Sequence, residues 1–249
     1  VPTPRNLKVK RAIDRLDSLV NEMIEAREGS EQDYDDLLSM LMLAEDEETG
    51  EQMTKEQIRD EVMTFVLAGH ETTSNALAFT FLLLSKHPSI RRKLQSELDE
   101  QWDEGGDPVM QARELSYLDQ VLDESMRLFP PAWTIERTPK EDDQIGGYTI
   151  PAGAVVVTAP YLVHHNPSVW RNPEGFDPER FAPDNKQEHH RYAHFPFGGG
   201  PRMCVGADFA ILEAKLVLAE VLRRFDVDLA GFAEVELEAN VTLHPKNNL

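Results

Sequence analysis

The sequence predicts a mainly α-helical protein with a small β region. Three observations predict it. Apolar residues recur at helical spacing over most of the first 129 positions, the period changes to short runs broken by glycine and proline between 146 and 158, and a strong helical pattern returns near 207. The first helix is expected over 5–27, where Leu7, Ala12, Leu16, Leu19, Val20, Met23 and Ile24 follow the helical period. A second is expected over 33–43, after the break at Gly29-Ser30. Glu45-Asp46-Glu47-Glu48, ending at Gly50, reads as a solvated turn, because packed like charges repel and stay wet.

Thr54 and Gln57 form a Thr-x-x-Gln capping box that opens a helix running to Lys86, ahead of Pro88. That is about nine turns at 3.6 residues per turn. Residues 79–84 are apolar nearly all round, which places this stretch at the centre of the fold. Further helices are expected over 88–102 and 116–129, the second stopped by Pro130-Pro131. Two short strands, 146–150 and 154–158, are joined through Pro151-Ala152-Gly153. The segment 166–201 is irregular but carries Trp170, Phe176, Phe181, Phe195 and Phe197, so it reads as ordered coil on the core. A last helix spans 207–225, and 235–243 suggests a terminal strand pairing. Without repeats or a linker composition, residues 1–249 read as a single domain.

Composition excludes several function classes. Hydrophobic residues make up 41% and charged residues 28%, and no run approaches the roughly 20 apolar residues of a membrane span. No membrane segment is therefore expected in this chain. With 25 Lys and Arg against 45 Asp and Glu, the net charge is -20, which disfavours nucleic acid as a partner. The one cysteine, Cys204, cannot close an internal disulfide, and no basic-then-apolar leader opens the chain, so a reducing, cytoplasmic setting is expected.

The chemistry concentrates in Phe197-Gly198-Gly199-Gly200-Pro201-Arg202-Met203-Cys204-Val205-Gly206. Three glycines permit positive φ and close backbone approach, and the cysteine lies just before a helix. Loop N–H groups and the positive end of that helix can point at the sulfur and favour a thiolate ligand. A lone cysteine with no such context is more simply a small buried hydrophobe. Elsewhere, Gly69 in mid-helix costs about 1 kcal/mol against alanine and needs a reason. With Ile58, Val62, Phe65, Thr72 and Ala76 it forms a stripe able to lie against a planar ring, leaving a small polar notch at Thr72. The bland alternative is a packed glycine with Thr72 bonding back to a carbonyl. A zinc-protease helix is ruled out, because position 74 is Ser74 rather than histidine. Glu124 and Arg127, three apart, read by periodicity as a surface pair worth about 0.2 to 0.5 kcal/mol. His189, His190 and His194 lie in coil without a fourth ligand and read as loop residues.

The cysteine segment resembles the haem-binding loop of the cytochrome P450 family: Phe, two residues, Gly, one, Arg, one, Cys, one, Gly. Ala68-Gly69-x-Glu71-Thr72-Thr73 resembles its oxygen-binding helix, Glu124-x-x-Arg127 its Glu-x-x-Arg motif, and the segment holding Arg180 its arginine coil. The resemblance implies the P450 fold with haem b (iron protoporphyrin IX) as cofactor. It makes Cys204 the axial ligand of haem iron, sets Phe197 beside the sulfur, and gives Arg202 and Arg137 the haem propionates. Gly198, Ala68 and Gly69 join the cofactor-binding set, Glu71 and Thr72 become the catalytic pair that relays protons to dioxygen, and Glu124, Arg127 and Arg180 form a buried charge network. Where the family often has His-Arg, this chain has His164-His165.

The implied activity is a monooxygenase that hydroxylates a small apolar organic substrate. Its electrons come from NAD(P)H through a ferredoxin or a flavoprotein reductase. Arg191, Arg223 and Arg224 are local basic candidates for docking that donor. A peroxide-using peroxygenase and a haem-binding sensor or inactive fragment are the alternatives; Glu71 and Thr72 argue against the first. The family's domain extends upstream of Val1, so the chain reads as the C-terminal haem-binding portion, with the N-terminal part missing and weak haem binding expected of it alone.

Overall fold

The structure is a computed structural model that describes residues 3–28, 30, 34, 36–186, 190–229 and 235–246. Gly29, Asp33, His189 and the end at 247–249, all used in the sequence reading, lie outside the described residues. The chain divides into two compact units, Val1–His70 and Glu71–Leu249.

In the first unit, α1 (Pro4–Glu28) buries only Val20 and Ile24, which pack with Leu38 of α2 (Leu37–Leu43) and with Ile58 of α3 (Lys55–Lys86). Leu7, Leu19 and Met23, expected on the inward face of α1, are exposed. Asp36 caps α2 by accepting the Ser39 N–H at 3.0 Å while its carboxylate takes both Arg27 NH groups at 2.8 Å. That pairing holds the Asp36 carboxyl well below the usual carboxylate range. The capping box at the start of α3 forms reciprocally: the Thr54 N–H donates to Gln57 Oε1 at 2.8 Å, and the Gln57 N–H to Thr54 Oγ1 at 3.3 Å.

In the second unit, the apolar half of α3 is the centre its composition predicts, with Phe79 and Leu84 fully buried. Around Leu83 and Leu84 pack α4 (Pro88–Gln101), α6 (Ser116–Leu128) and α9 (Ala207–Leu222). A short helix that periodicity does not reveal, α5 (Pro108–Glu114), packs on α9; Asp107 caps it by accepting the Val109 N–H at 2.8 Å. Glu97 of α4 caps α6 from outside, accepting the Tyr117 and Leu118 N–H groups at 2.7 and 3.0 Å. The short helices α7 (Pro160–His164) and α8 (Pro183–Lys186) punctuate the coil, whose Trp170, Phe181 and Ala193 form a small buried cluster.

The strands pair differently from expectation. The segments 146–150 and 154–158 do not pair with each other. Instead β1 (Ile135–Arg137) pairs antiparallel with β4 (Val156–Thr158), and β2 (Asp143–Ile145) with β3 (Tyr148–Ile150). The physical reason is Gly146-Gly147, whose φ angles of 56° and 86° make the two-residue turn that favours a tight hairpin between Ile145 and Tyr148. The terminal pairing forms between β5 (Leu237–Ala239) and β6 (Leu243–Pro245).

A buried charge network ties α6 to the coil. Glu124 and Arg127 have fully buried side chains, so the surface pair that periodicity suggests is overturned. Arg127 Nε and NH2 donate to Glu124 at 2.6 and 2.9 Å, and its remaining donors reach the carbonyls of His164, Pro173 and Gly175 at 2.8, 2.7 and 3.1 Å. Arg180 Nε donates to the same Glu124 carboxylate at 3.1 Å, as does the Asp177 N–H at 2.9 Å. The burial follows because the coil brings carbonyls to every donor that α6 would otherwise offer to water.

His164 extends this network: its carbonyl takes Arg127, and its ring Nε2 accepts the Phe195 N–H at 3.0 Å. Burial, helped by neighbouring His194 and Arg127, pushes the His164 pKa down to about 3.

Two predictions follow from the network. Arg127→Ala leaves Glu124 without its main partner and should cost about 3–5 kcal/mol, read as a collapse of the denaturation midpoint. An Arg127→Ala protein with an unchanged midpoint would contradict the network's role. His164 stays neutral when folded, whereas the unfolded side chain titrates at 6.5. Its contribution is therefore complete above pH 6.5 and is lost as pH falls toward 3, at about 1.4 kcal/mol per pH unit. His164→Gln should remove that slope from denaturant melts taken between pH 4 and 7.

Candidate haem-binding site

The loop at 195–206 is shaped by its glycines. Gly198 and Gly200 adopt φ of 77° and 72°, a region a side chain rarely enters, and a Cβ on Gly198 would press on Ile135 Cδ1 at 3.4 Å. Backbone bonds close the loop: the Gly198 N–H to the Phe195 carbonyl at 2.9 Å and the Cys204 N–H to the Phe197 carbonyl at 3.0 Å. A single 3₁₀ turn, Gly200–Arg202, then delivers the chain to Cys204 and to the first turn of α9. Cys204 is exposed, and the next apolar side chains, Val205 and Phe209, are 86% and 72% exposed. Phe197 is half-buried and packs on the core of the second unit.

The start of the loop is fixed through the buried network. From Arg127 the bonds run to the His164 carbonyl, from the His164 ring to the Phe195 N–H, and from the Phe195 carbonyl to Gly198. His164 is thus a supporting residue to which the sequence reading assigns no role; it matches the first position of the family's frequent His-Arg, the departure being at His165.

Glu71 and Thr72 stand in α3. Glu71 is exposed, Thr72 half-buried and Thr73 buried. Glu71 Oε1 accepts the hydroxyl of Thr242, which in turn receives Asn75 Nδ2 at 3.2 Å. Neither Asn75 nor Thr242 is signalled by the sequence, because the contact joins positions 167 apart. Ala68 and Gly69 are exposed on the preceding turn, and a Cβ placed on Gly69 would meet nothing within 4 Å. Among the described residues no neighbour crowds Gly69.

Arg137, at the end of β1, is exposed and donates to the Glu136 carbonyl at 2.7 Å. Arg202 is exposed too, and among the described residues no carboxylate pairs with either guanidinium. Arg223 and Arg224, by contrast, are engaged by Glu220, and Arg223 also by Glu104. Beside the loop lies a cleft of about 380 Å³ lined by Phe197, Pro196 and Ile211 together with Asp119, Asp123 and Asp208.

These residues fit haem. The exposed sulfur is a single ligand, as suits an iron that brings four ring nitrogens with it. Among the described residues no three His, Cys, Asp or Glu side chains form an ion site, and His190 and His194 belong to none. Two exposed guanidiniums suit two carboxylates, and bare apolar surface beside the thiol suits a macrocycle.

The sequence profile of the cytochrome P450 family matches residues 1–249. The chain is 40% identical over 226 residues to cyclooctat-9-en-7-ol 5-monooxygenase of Streptomyces melanosporofaciens, covering 90% of this chain and 49% of that protein. It is 37% identical over 212 residues to cytochrome P450 4V2 of Homo sapiens, covering 84% of this chain and 40% of the relative. Among solved structures, the cytochrome P450DA haem domain superposes with a TM-score of 0.89 at 36% identity, covering 98% of this chain and 55% of that one. The chain thus spans about half the length of the relatives it matches. With motifs, fold and full-length profile in agreement, the chain belongs to the cytochrome P450 family.

Proposed function

We propose that these 249 residues are one domain's haem-binding C-terminal portion, from a haem-thiolate monooxygenase that inserts one oxygen atom of dioxygen into an apolar organic substrate. The observation that carries this reading is the exposed Cys204 sulfur at the end of a loop whose glycines and backbone bonds fix its position. Haem b, when bound, supplies the dioxygen chemistry that a polypeptide lacks.

The chain's own residues do the rest. Cys204 would hold the haem iron through its sulfur, which the loop delivers just ahead of the first turn of α9. Phe197 shields the sulfur side, Gly198 lets the loop turn at positive φ, and Arg202 and Arg137 bind the propionates. Ala68 and Gly69 keep a turn of α3 low enough for a flat ring. Glu71, in contact with solvent, takes up protons, and the half-buried Thr72 hydroxyl orients the water that carries them inward. This pair supports dioxygen rather than peroxide as oxidant, since a peroxide user needs less proton delivery.

Electrons come from NAD(P)H through a ferredoxin or a flavoprotein reductase. Arg223 and Arg224, already paired with acids, are weak candidates for docking it. The substrate is an apolar molecule of the size class of cyclooctat-9-en-7-ol, named for the Streptomyces relative. Among the described residues no helix is long and apolar enough to cross a membrane. Ligation needs Cys204 reduced, and we place the protein in the cytoplasm, which keeps it so.

The test is a carbon monoxide difference spectrum on the reduced full-length protein. A thiolate-type band is expected for the wild type and its loss for Cys204→Ser; a variant that kept the band would overturn the assignment. Gly69→Leu makes a second prediction. Crowding the ring should cost about 1–3 kcal/mol, weakening haem retention by about 5- to 150-fold. The haem-free variant should melt no lower than its parent, because leucine is the better helix former by about 1 kcal/mol.

A further inference from the structure

The terminal hairpin meets α3 at Thr242. Thr242, between β5 and β6, is 6% exposed, yet it reaches Glu71, an exposed carboxylate. Two backbone bonds and one from a side chain hold it there. The Asn240 N–H donates to the Thr242 carbonyl at 3.1 Å, the Trp133 indole N–H to the Asn240 carbonyl at 3.0 Å, and the Leu243 N–H to the Pro131 carbonyl at 2.9 Å. The hairpin is therefore pinned to the segment after α6 on both sides of Thr242.

The bond directions matter. Asn75 Nδ2 donates to Thr242 Oγ1, so the hydroxyl's single proton is left for Glu71 Oε1. The three groups form a polarised chain from amide to hydroxyl to carboxylate, in which each bond strengthens the next. A glutamate facing solvent would otherwise spread over many rotamers, because its side chain is among the most entropic. Here a buried hydroxyl on a pinned hairpin selects one.

We propose that Thr242 is a positioning residue: its hydroxyl, oriented by Asn75, holds the Glu71 carboxylate in the geometry from which it serves proton delivery. This deepens the proposed function and rests on Glu71 having that role. Thr242 does not touch the reacting atoms and acts through Glu71 alone.

The experiment compares Thr242→Val, which keeps the shape and removes the hydroxyl, with Thr242→Ser, Glu71→Gln and the Val/Gln double variant, all as full-length, haem-loaded protein. The first readout is hydrogen peroxide released per NADPH oxidised, with a ferredoxin and its reductase as electron supply. Thr242→Val is expected to raise the peroxide share about 2- to 10-fold, the range one hydrogen bond controls, and Thr242→Ser to restore it. The double variant should be no worse than Glu71→Gln. The second readout is independent of turnover. Thr242→Val should lower the melting temperature by about 2–4 °C, and this shift should shrink in the Glu71→Gln background. A normal peroxide share in Thr242→Val while Glu71→Gln is impaired, or strictly additive melting shifts, overturns the proposal alone. A normal peroxide share in Glu71→Gln overturns the proton-delivery reading and removes what Thr242 would position.

Discussion

A guanidinium shut away from water organises the second unit. Arg127 keeps its charge in the interior because every donor is answered, two by Glu124 and the others by carbonyls from three points of the coil. An isolated charge in that environment would be prohibitive, so α6 and the coil must adopt this arrangement together or not at all. Such a cluster adds little net stability over an apolar core of the same shape; what it supplies is a single admissible path for an irregular segment with few ladder bonds of its own. The consequence reaches the cysteine loop through His164, whose carbonyl accepts from Arg127 and whose ring accepts from the Phe195 N–H.

The cysteine loop and the Glu71 segment of α3 are built by different physics. The cysteine side is a backbone construction: glycines at positive φ, short-range hydrogen bonds and the start of a long helix, all within a dozen residues. The α3 side is a side-chain construction, in which a hydroxyl, an amide and a carboxylate from distant parts of the chain must meet. In the proposed function the rigid loop would fix where the iron sits, and the polar chain would suit the movement of protons.

What the sequence makes legible follows the same division. The helices around the core could be read from their periodicity, because burial and the 3.6-residue repeat select the same positions, and the reciprocal Thr54–Gln57 cap forms as its spacing implies. The β region misled, since two runs adjacent in sequence were natural partners until Gly146-Gly147 claimed one of them for a tighter hairpin. The short α5 escaped because seven residues carry too little period, although Asp107-Pro108 was a cap signal in plain view. Periodicity put Arg127 opposite the apolar face of α6, and only its motif said otherwise: a charge can be buried when its partners come from elsewhere, and no local pattern records that. Thr242 and Asn75 lie beyond local reading for the same reason.

Since the account depends on sulfur from Cys204 reaching iron, the most direct measurement is X-ray absorption fine structure at the iron edge of the haem-loaded, full-length protein. One sulfur scatterer in the first shell beside the ring nitrogens, lost when Cys204 becomes serine, is the predicted result. A first shell of nitrogen and oxygen alone in the wild-type protein would contradict it.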